Sequence, residues 1–282
     1  MISAPVSRPR IAEGIRPAPG PRQAEAVRAT PQPRPAWRAH LLSALALLAL
    51  WQIAVSLLRY PRWLFPGPLD VLLRLQQALA DGTLVAHIVP TLLESSLGFC
   101  LALVIGSLLG YLVAHSPRLE RVLAPYLTAA QAIPVIAIAP LILIWFGYSS
   151  EIMRNAMIAA VVVLFPIFSS TLTGIRTIPK ELREVGLVEG ATRLQRLRYI
   201  ELPLALPVLL SGIRTSLAYA TTGAVVGEFI GSRYGLGALI NVARGFFDTP
   251  LIFVALLCLG LITLSFYLSF RLVERLLMAR LG

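Results

Sequence analysis

The chain has 282 residues, 57% of them hydrophobic and 14% charged, with a mean hydropathy of +0.76. An intrinsically disordered chain, a disulfide scaffold and a typical cytosolic enzyme are thereby excluded, since each needs more charge, more cysteine or less apolar sequence. The 25 Lys+Arg against 14 Asp+Glu leave a net charge of +11, but no aromatics are interleaved with the basic cluster, so it reads as the basic flanks of membrane spans and no nucleic acid is expected.

Residues 1–36 are rich in Pro, Arg and Ala and lack the apolar stretch of a secretory signal; they read as a disordered basic cytoplasmic tail. Residues 37–282 form one all-α transmembrane domain. A helical span needs about 20 apolar residues, and the pattern predicts about six: Ala39–Leu58, His87–Ala114, Val122–Phe146, Ile152–Gly174, Leu204–Ile230 and Leu251–Phe270. Between the first two, Pro66–Ala80 repeats Leu at helical spacing beside Asp70, Arg74 and Gln76, the pattern of an interfacial amphipathic helix. With the amino terminus inside, most basic residues flank the spans on the cytoplasmic side, placing both termini there. Gly98, Gly106 and Gly110 fall at helical intervals and predict close packing against a second helix.

Cys100 and Cys258 are far apart and lack a CxxC partner, and His40, His87 and His115 have no ligand spacing, so no metal is assigned. No GxxxxGK[ST] loop occurs, and no constellation at membrane depth suits catalysis. The acids cluster near span ends and loops, which speaks against an ion-gradient-driven secondary transporter.

The stretch from Thr177 to Pro203 is too long for a simple turn. Pro179 starts a helix, Gly190 breaks it, and a second short helix follows through Leu194, Leu197 and Tyr199, with Arg193, Arg196 and Arg198 on its wet face, before Pro203 returns the chain to the membrane. The spacing of Glu184, Gly190, Ile200, Leu202 and Pro203 resembles the E-A-A-x3-G-x9-I-x-L-P signature of ABC importer permeases, with Val185 and Gly186 in place of the alanines. FPGPLDVL at 65–72, QAIPVIAIAPLILIWFG at 131–147 and GAVVGEFIGSRYGLGALI at 223–240 resemble the nitrate/sulfonate/taurine branch, which includes permeases for riboflavin and thiamine pyrimidines; the wording is closer to these vitamin-precursor members.

That resemblance implies the type I importer permease fold with cytoplasmic coupling helices, in a bacterial inner membrane. It implies a homodimer in lipid, two ABC ATPase subunits that hold ATP and Mg on separate chains, and an extracytoplasmic solute-binding protein. The coupling loop, 176–203, would rest on Glu184, Gly186, Gly190, Ala191, Leu202 and Pro203 and present Glu189, Thr192, Arg193 and Arg196 to the ATPase. The cargo implied is a vitamin or vitamin precursor; nitrate, taurine and aliphatic sulfonates are the alternative.

Polar residues within the spans are the candidates for the substrate pathway. Gln131, Thr221 and Thr222 suit either hydrogen bonding to an uncharged heteroaromatic substrate or helix-to-helix bonding. Glu94 and Glu228, near the outer ends of their spans, face the path, reach water or pair with Arg233. Arg214 is expected to snorkel toward the inner surface. Trp145, Phe146 and Tyr148 read as an outer gate or an aromatic belt.

Overall fold

The computed structural model describes residues 36–281, which are helical with no strand among them. The tail assigned to 1–36 therefore lies outside the described residues, apart from Ala36. The described residues divide into two units, one ending at Leu50 and the other beginning at Trp51. Helix α1 (Ala36–Leu58) begins in the first and ends in the second.

The second unit continues with α2 (Pro68–Ala80), α3 (Thr83–Ala114), α4 (Pro117–Ala132), α5 (Val135–Trp145) and α6 (Glu151–Arg176). After these come α7 (Lys180–Val188), the short α8 (Arg193–Arg196), a π turn at Leu197–Glu201, α9 (Leu202–Gly231), α10 (Leu236–Gly245) and α11 (Thr249–Leu281). Among the described residues, 5 helical stretches are long and apolar enough to cross a membrane: Leu41–Leu58, Thr83–Ala114, Glu151–Arg176, Arg193–Gly231 and Thr249–Leu276.

The span expected at Val122–Phe146 is not continuous. Pro134 lacks an N–H, and Ile133 before it is extended, at φ −84° and ψ 118°. The segment is thus split into α4 and α5, and the 11 residues of α5 reach roughly 16 Å, about half the thickness of a bilayer core. The amphipathic α2 forms as expected, its first turn fixed by Asp70, whose carboxylate accepts from Gly67 N at 3.0 Å.

Helix α6 is the centre of the bundle, held between α3 and α9. Lipid tails are as apolar as leucine, so contact between spans depends on close backbone approach. The glycines of α3 supply it as expected: a Cβ on Gly98 would stand 2.5 Å from Ala159 Cβ, and one on Gly110 2.7 Å from Thr171 Cβ. From the other side, a Cβ on Gly223 would stand 2.6 Å from Ala159 Cα. A separate apolar cluster joins α2, α10 and α11 through Val71, Ala78, Leu236, Leu239, Ala243, Leu251 and Val254. Arg74 Nε donates to Asp248 Oδ2 at 2.8 Å, tying α2 to the start of α11.

Candidate coupling segment and translocation face

The coupling segment is built by two caps. At the end of α7, Glu189 N donates to Val185 O at 3.0 Å and Ala191 N to Gly186 O at 2.9 Å, which requires Gly190 at φ +72°. Thr192 then opens α8: its Oγ1 accepts from Gln195 N at 3.3 Å while Gln195 Oε1 accepts from Thr192 N at 2.8 Å. Gly186 is buried against the returning chain, where a Cβ would meet Ile200 Cδ1 at 2.8 Å and Arg196 Cγ at 3.2 Å.

Beyond this turn the structure departs from the expected second helix and fresh start at Pro203. Leu202 N reaches back to Leu197 O, and the widened π turn lets Pro203 follow without interrupting the helix. Arg193 to Gly231 is therefore one helical run of 39 residues. Two further contacts strap the segment to the bundle. His115 Nε2 lies 3.0 Å from Glu201 Oε1, and Arg176 makes a two-pronged ion pair with Glu120. The Arg176 guanidinium holds the Glu120 carboxyl below its ordinary range.

Glu184, Glu189, Thr192 and Arg193 are exposed, whereas Arg196 is half-buried rather than fully on the wet face; Ala191 and Pro203 are half-buried and Leu202 is exposed. Beside them stands an exposed apolar set, Val185, Val188, Leu194 and Tyr199, the last three 69% to 85% exposed; the sequence reading named all but Val188, but not as part of the contact face.

The pathway candidates separate. Glu94 and Glu228 neither reach water nor pair with Arg233; both are 1% exposed. Glu228 accepts from Thr91 Oγ1 at 2.6 Å and from Gly237 N at 2.6 Å, and Glu94 accepts from Asn155 Nδ2 at 2.9 Å. Asn155 Nδ2 also donates to Ser232 Oγ at 2.7 Å, and Gly235 N donates to His87 Nδ1 at 3.1 Å. The two acids are thus braces that join α3, α6 and α9 to the turn before α10. Arg233 instead offers its backbone N–H to Glu151 Oε2 at 3.2 Å. Arg214 reaches toward the C-terminal end of α11, where it pairs with Glu274, and lies over the Tyr267 ring. Thr221 is buried, while Thr222 is exposed and bonds back to Ala218 O at 3.3 Å, so the pair does not share a face. The side chain of Gln131 lies outside the described ones.

Two adjoining cavities of about 380 Å³ each open beside α6. One is walled by α3, α4, α5 and α6 and closed by Tyr219 of α9. The other lies between α6 and α9 and is lined by the hydroxyls of Ser169, Ser170, Thr173, Ser211 and Thr215. Phe165 and Pro166 belong to both, and no charged side chain lines either. The signal for the second cavity is present in the sequence as small hydroxyl residues four apart within apolar spans, a pattern equally typical of helix packing.

The family model for the inner membrane component of binding-protein-dependent transport systems matches residues 102–282. The chain belongs to this family. This permease is 53% identical over 235 residues to the riboflavin transport system permease protein of Chloroflexus aurantiacus, covering 83% of this chain and 87% of that one. It is 32% identical to the formylaminopyrimidine transport permease protein of Halalkalibacterium halodurans, covering 83% and 92%. Among solved structures, an inward-facing MetNI methionine ABC transporter superimposes with a TM-score of 0.60 at 21% identity, over 68% of this chain and 94% of that one, a likeness of fold. The permease is thus an all-α integral membrane protein with the ABC importer permease fold, in the branch that its sequence resembles, and a transport subunit rather than an enzyme.

Proposed function

We propose that this permease carries an uncharged flavin, riboflavin in the first instance, through an ATP-driven importer of the inner membrane. The observation that carries the choice of cargo is the uncharged lining of the two cavities beside α6: a sulfonate or nitrate at membrane depth would call for a cation to offset its desolvation, and Arg214, which lines a further cavity, is already paired with Glu274. The relationship to a riboflavin permease points the same way.

In this reading the permease pairs with a second copy, both termini face the cytoplasm, and a solute-binding protein delivers cargo from the other side. Two ATPase subunits, which hold ATP and magnesium, grip the surface formed by Glu189, Thr192, Arg193 and the exposed Val188 and Leu194. Their closure displaces α7 and α8, and the unbroken helical run from Arg193 to Gly231 transmits that displacement into the bundle. The Glu201–His115 contact carries it to the end of α3 as well. ATP drives the exchange by favouring one of two states, a coupling of about 1–3 kcal/mol in typical cases.

The test is uptake into vesicles holding the permease, its ATPase and its binding protein. Saturable, ATP-dependent riboflavin accumulation is expected, with none when the ATPase is omitted. Accumulation of taurine and not riboflavin, or accumulation without the ATPase, would overturn the assignment.

A further inference from the structure

On α9, Ser211, Thr215, Tyr219 and Thr222 are spaced by four, four and three residues, which places them on one side of the helix over about 16 Å. All four are exposed, on a helix whose other exposed residues are mostly apolar or small. Thr215 and Thr222 bond back to their own helix, but the Ser211 and Tyr219 hydroxyls have no partner among the described residues, and an unmet hydroxyl turned to lipid is costly, so this side of the helix faces an aqueous or protein-walled path. Across the groove, α6 presents Ser169 and Thr173, and the helices close up where a Cβ on Gly212 would stand 2.1 Å from Ser170.

The hydroxyls differ in what they have left to offer. Those of Thr215 and Ser170 donate to their own helices, at 3.2 Å to Ser211 O and 3.0 Å to Ile167 O, and keep free lone pairs. Those of Ser169, Thr173 and Ser211 have no protein partner among the described residues, so each can both donate and accept. The neighbouring cavity is of the opposite character, apolar and flanked by Phe165, Phe168 and Tyr219. Phe165 and Pro166 border both, so the two cavities are immediate neighbours along α6, the first aromatic and the second hydroxylated, in the order of a track.

We infer that this track is the flavin's transit site. Phe165 and Tyr219 hold the ring, while Ser169, Ser211 and Thr215 hydrogen-bond the polyhydroxyl chain and so select flavins that carry one. The inference rests on the flavin reading above and adds to it the residues that read the two halves of the molecule. Aromatic side chains hold a flat ring through stacking and edge contacts. Alternating donors and acceptors suit a chain of hydroxyls, whose desolvation must be offset bond by bond.

The full transporter, reconstituted with its ATPase and binding protein, tests this in two ways. The variant Ser169→Ala with Ser211→Ala and Thr215→Val should lower riboflavin uptake about tenfold, roughly the loss of one or two net hydrogen bonds, with ATP hydrolysis in response to the loaded binding protein retained. Separately, Ser211→Cys in a Cys100→Ser background should react with a maleimide, and riboflavin should slow that reaction while lumiflavin, which bears a methyl group in place of the chain, should not. Unchanged uptake in the triple variant, no protection by riboflavin, or equal protection by both flavins would each overturn the inference. If the unaltered transporter takes up no riboflavin at all, the flavin assignment itself fails, an outcome seen before any variant is made.

Discussion

Gly186 of α7 faces Ile200 in the π turn so closely that a Cβ would lie 2.8 Å from Ile200 Cδ1. This position carries alanine in the signature that the segment resembles. Here its glycine lets the first coupling helix sit against the second, and the substitution marks a tighter seam. The contacting atom is the far end of a flexible side chain, which can move aside for one methyl group. Gly186→Ala should therefore keep transport close to that of the unaltered permease. Gly186→Val adds more bulk than the seam can hold, at a cost of about 1–3 kcal/mol. It should depress ATP-dependent uptake severalfold while membrane insertion, followed by immunoblot, stays normal.

Gly190 is constrained differently. Nothing lies within 4 Å of a Cβ built there, but its φ is +72°. The cost of a side chain is one of backbone conformation, about 1 kcal/mol for alanine and less for asparagine, which tolerates the left-handed region. Gly190→Asn should couple nearly normally. Gly190→Arg should insert yet uncouple, because it combines the strained backbone with a bulky cation on the docking surface. Uptake measured beside ATPase co-purification distinguishes lost docking from lost insertion.

The Glu120–Arg176 pair makes a pH prediction. The Glu120 carboxyl is held low by Arg176, so its contribution is fully present above the ordinary glutamate range near pH 4.3. It is lost as pH falls through the depressed value in the folded protein. Thermal stability in detergent should thus carry the full contribution of this pair, with no pH dependence from it, between pH 6 and 8, and lose it only below about pH 4. Glu120→Gln should remove that acid-side slope and shrink the salt sensitivity of the melting curve.

For Glu228 the expectation is structural. Glu228→Ala leaves Gly237 N without its buried acceptor, at about 1–3 kcal/mol in such settings, and turns the Thr91 hydroxyl back onto His87 O alone. The variant should melt several degrees lower. Because Glu228 touches neither cavity, the riboflavin concentration for half-maximal uptake by the surviving protein should stay unchanged.

His115 joins the end of α3 to Glu201, which is 2% exposed. Removing the imidazole in His115→Ala takes from this buried carboxylate its hydrogen-bond donor at 3.0 Å. Uptake per molecule of ATP hydrolysed should fall, since the segment loses a polar link to the end of α3. His115→Gln, which can still donate, should restore part of it.

By itself the sequence determined the class of the molecule and the register of the segment from Glu184 to Pro203. Long apolar runs admit few alternatives in water or lipid, and the register from Glu184 to Pro203 is local, so both could be read without a fold. Glycines at 98, 106 and 110 likewise announced a close helix contact. The break at Pro134 is also local, although the expected span ran through it; only the tertiary structure decided that Glu94 and Glu228 brace the interior and that Ser169, Ser211 and Thr215 share a groove with Phe165. Those are relations between helices 40 or more positions apart. A side chain's role there depends on which neighbour its face meets, and periodicity along one helix gives the face but not the neighbour.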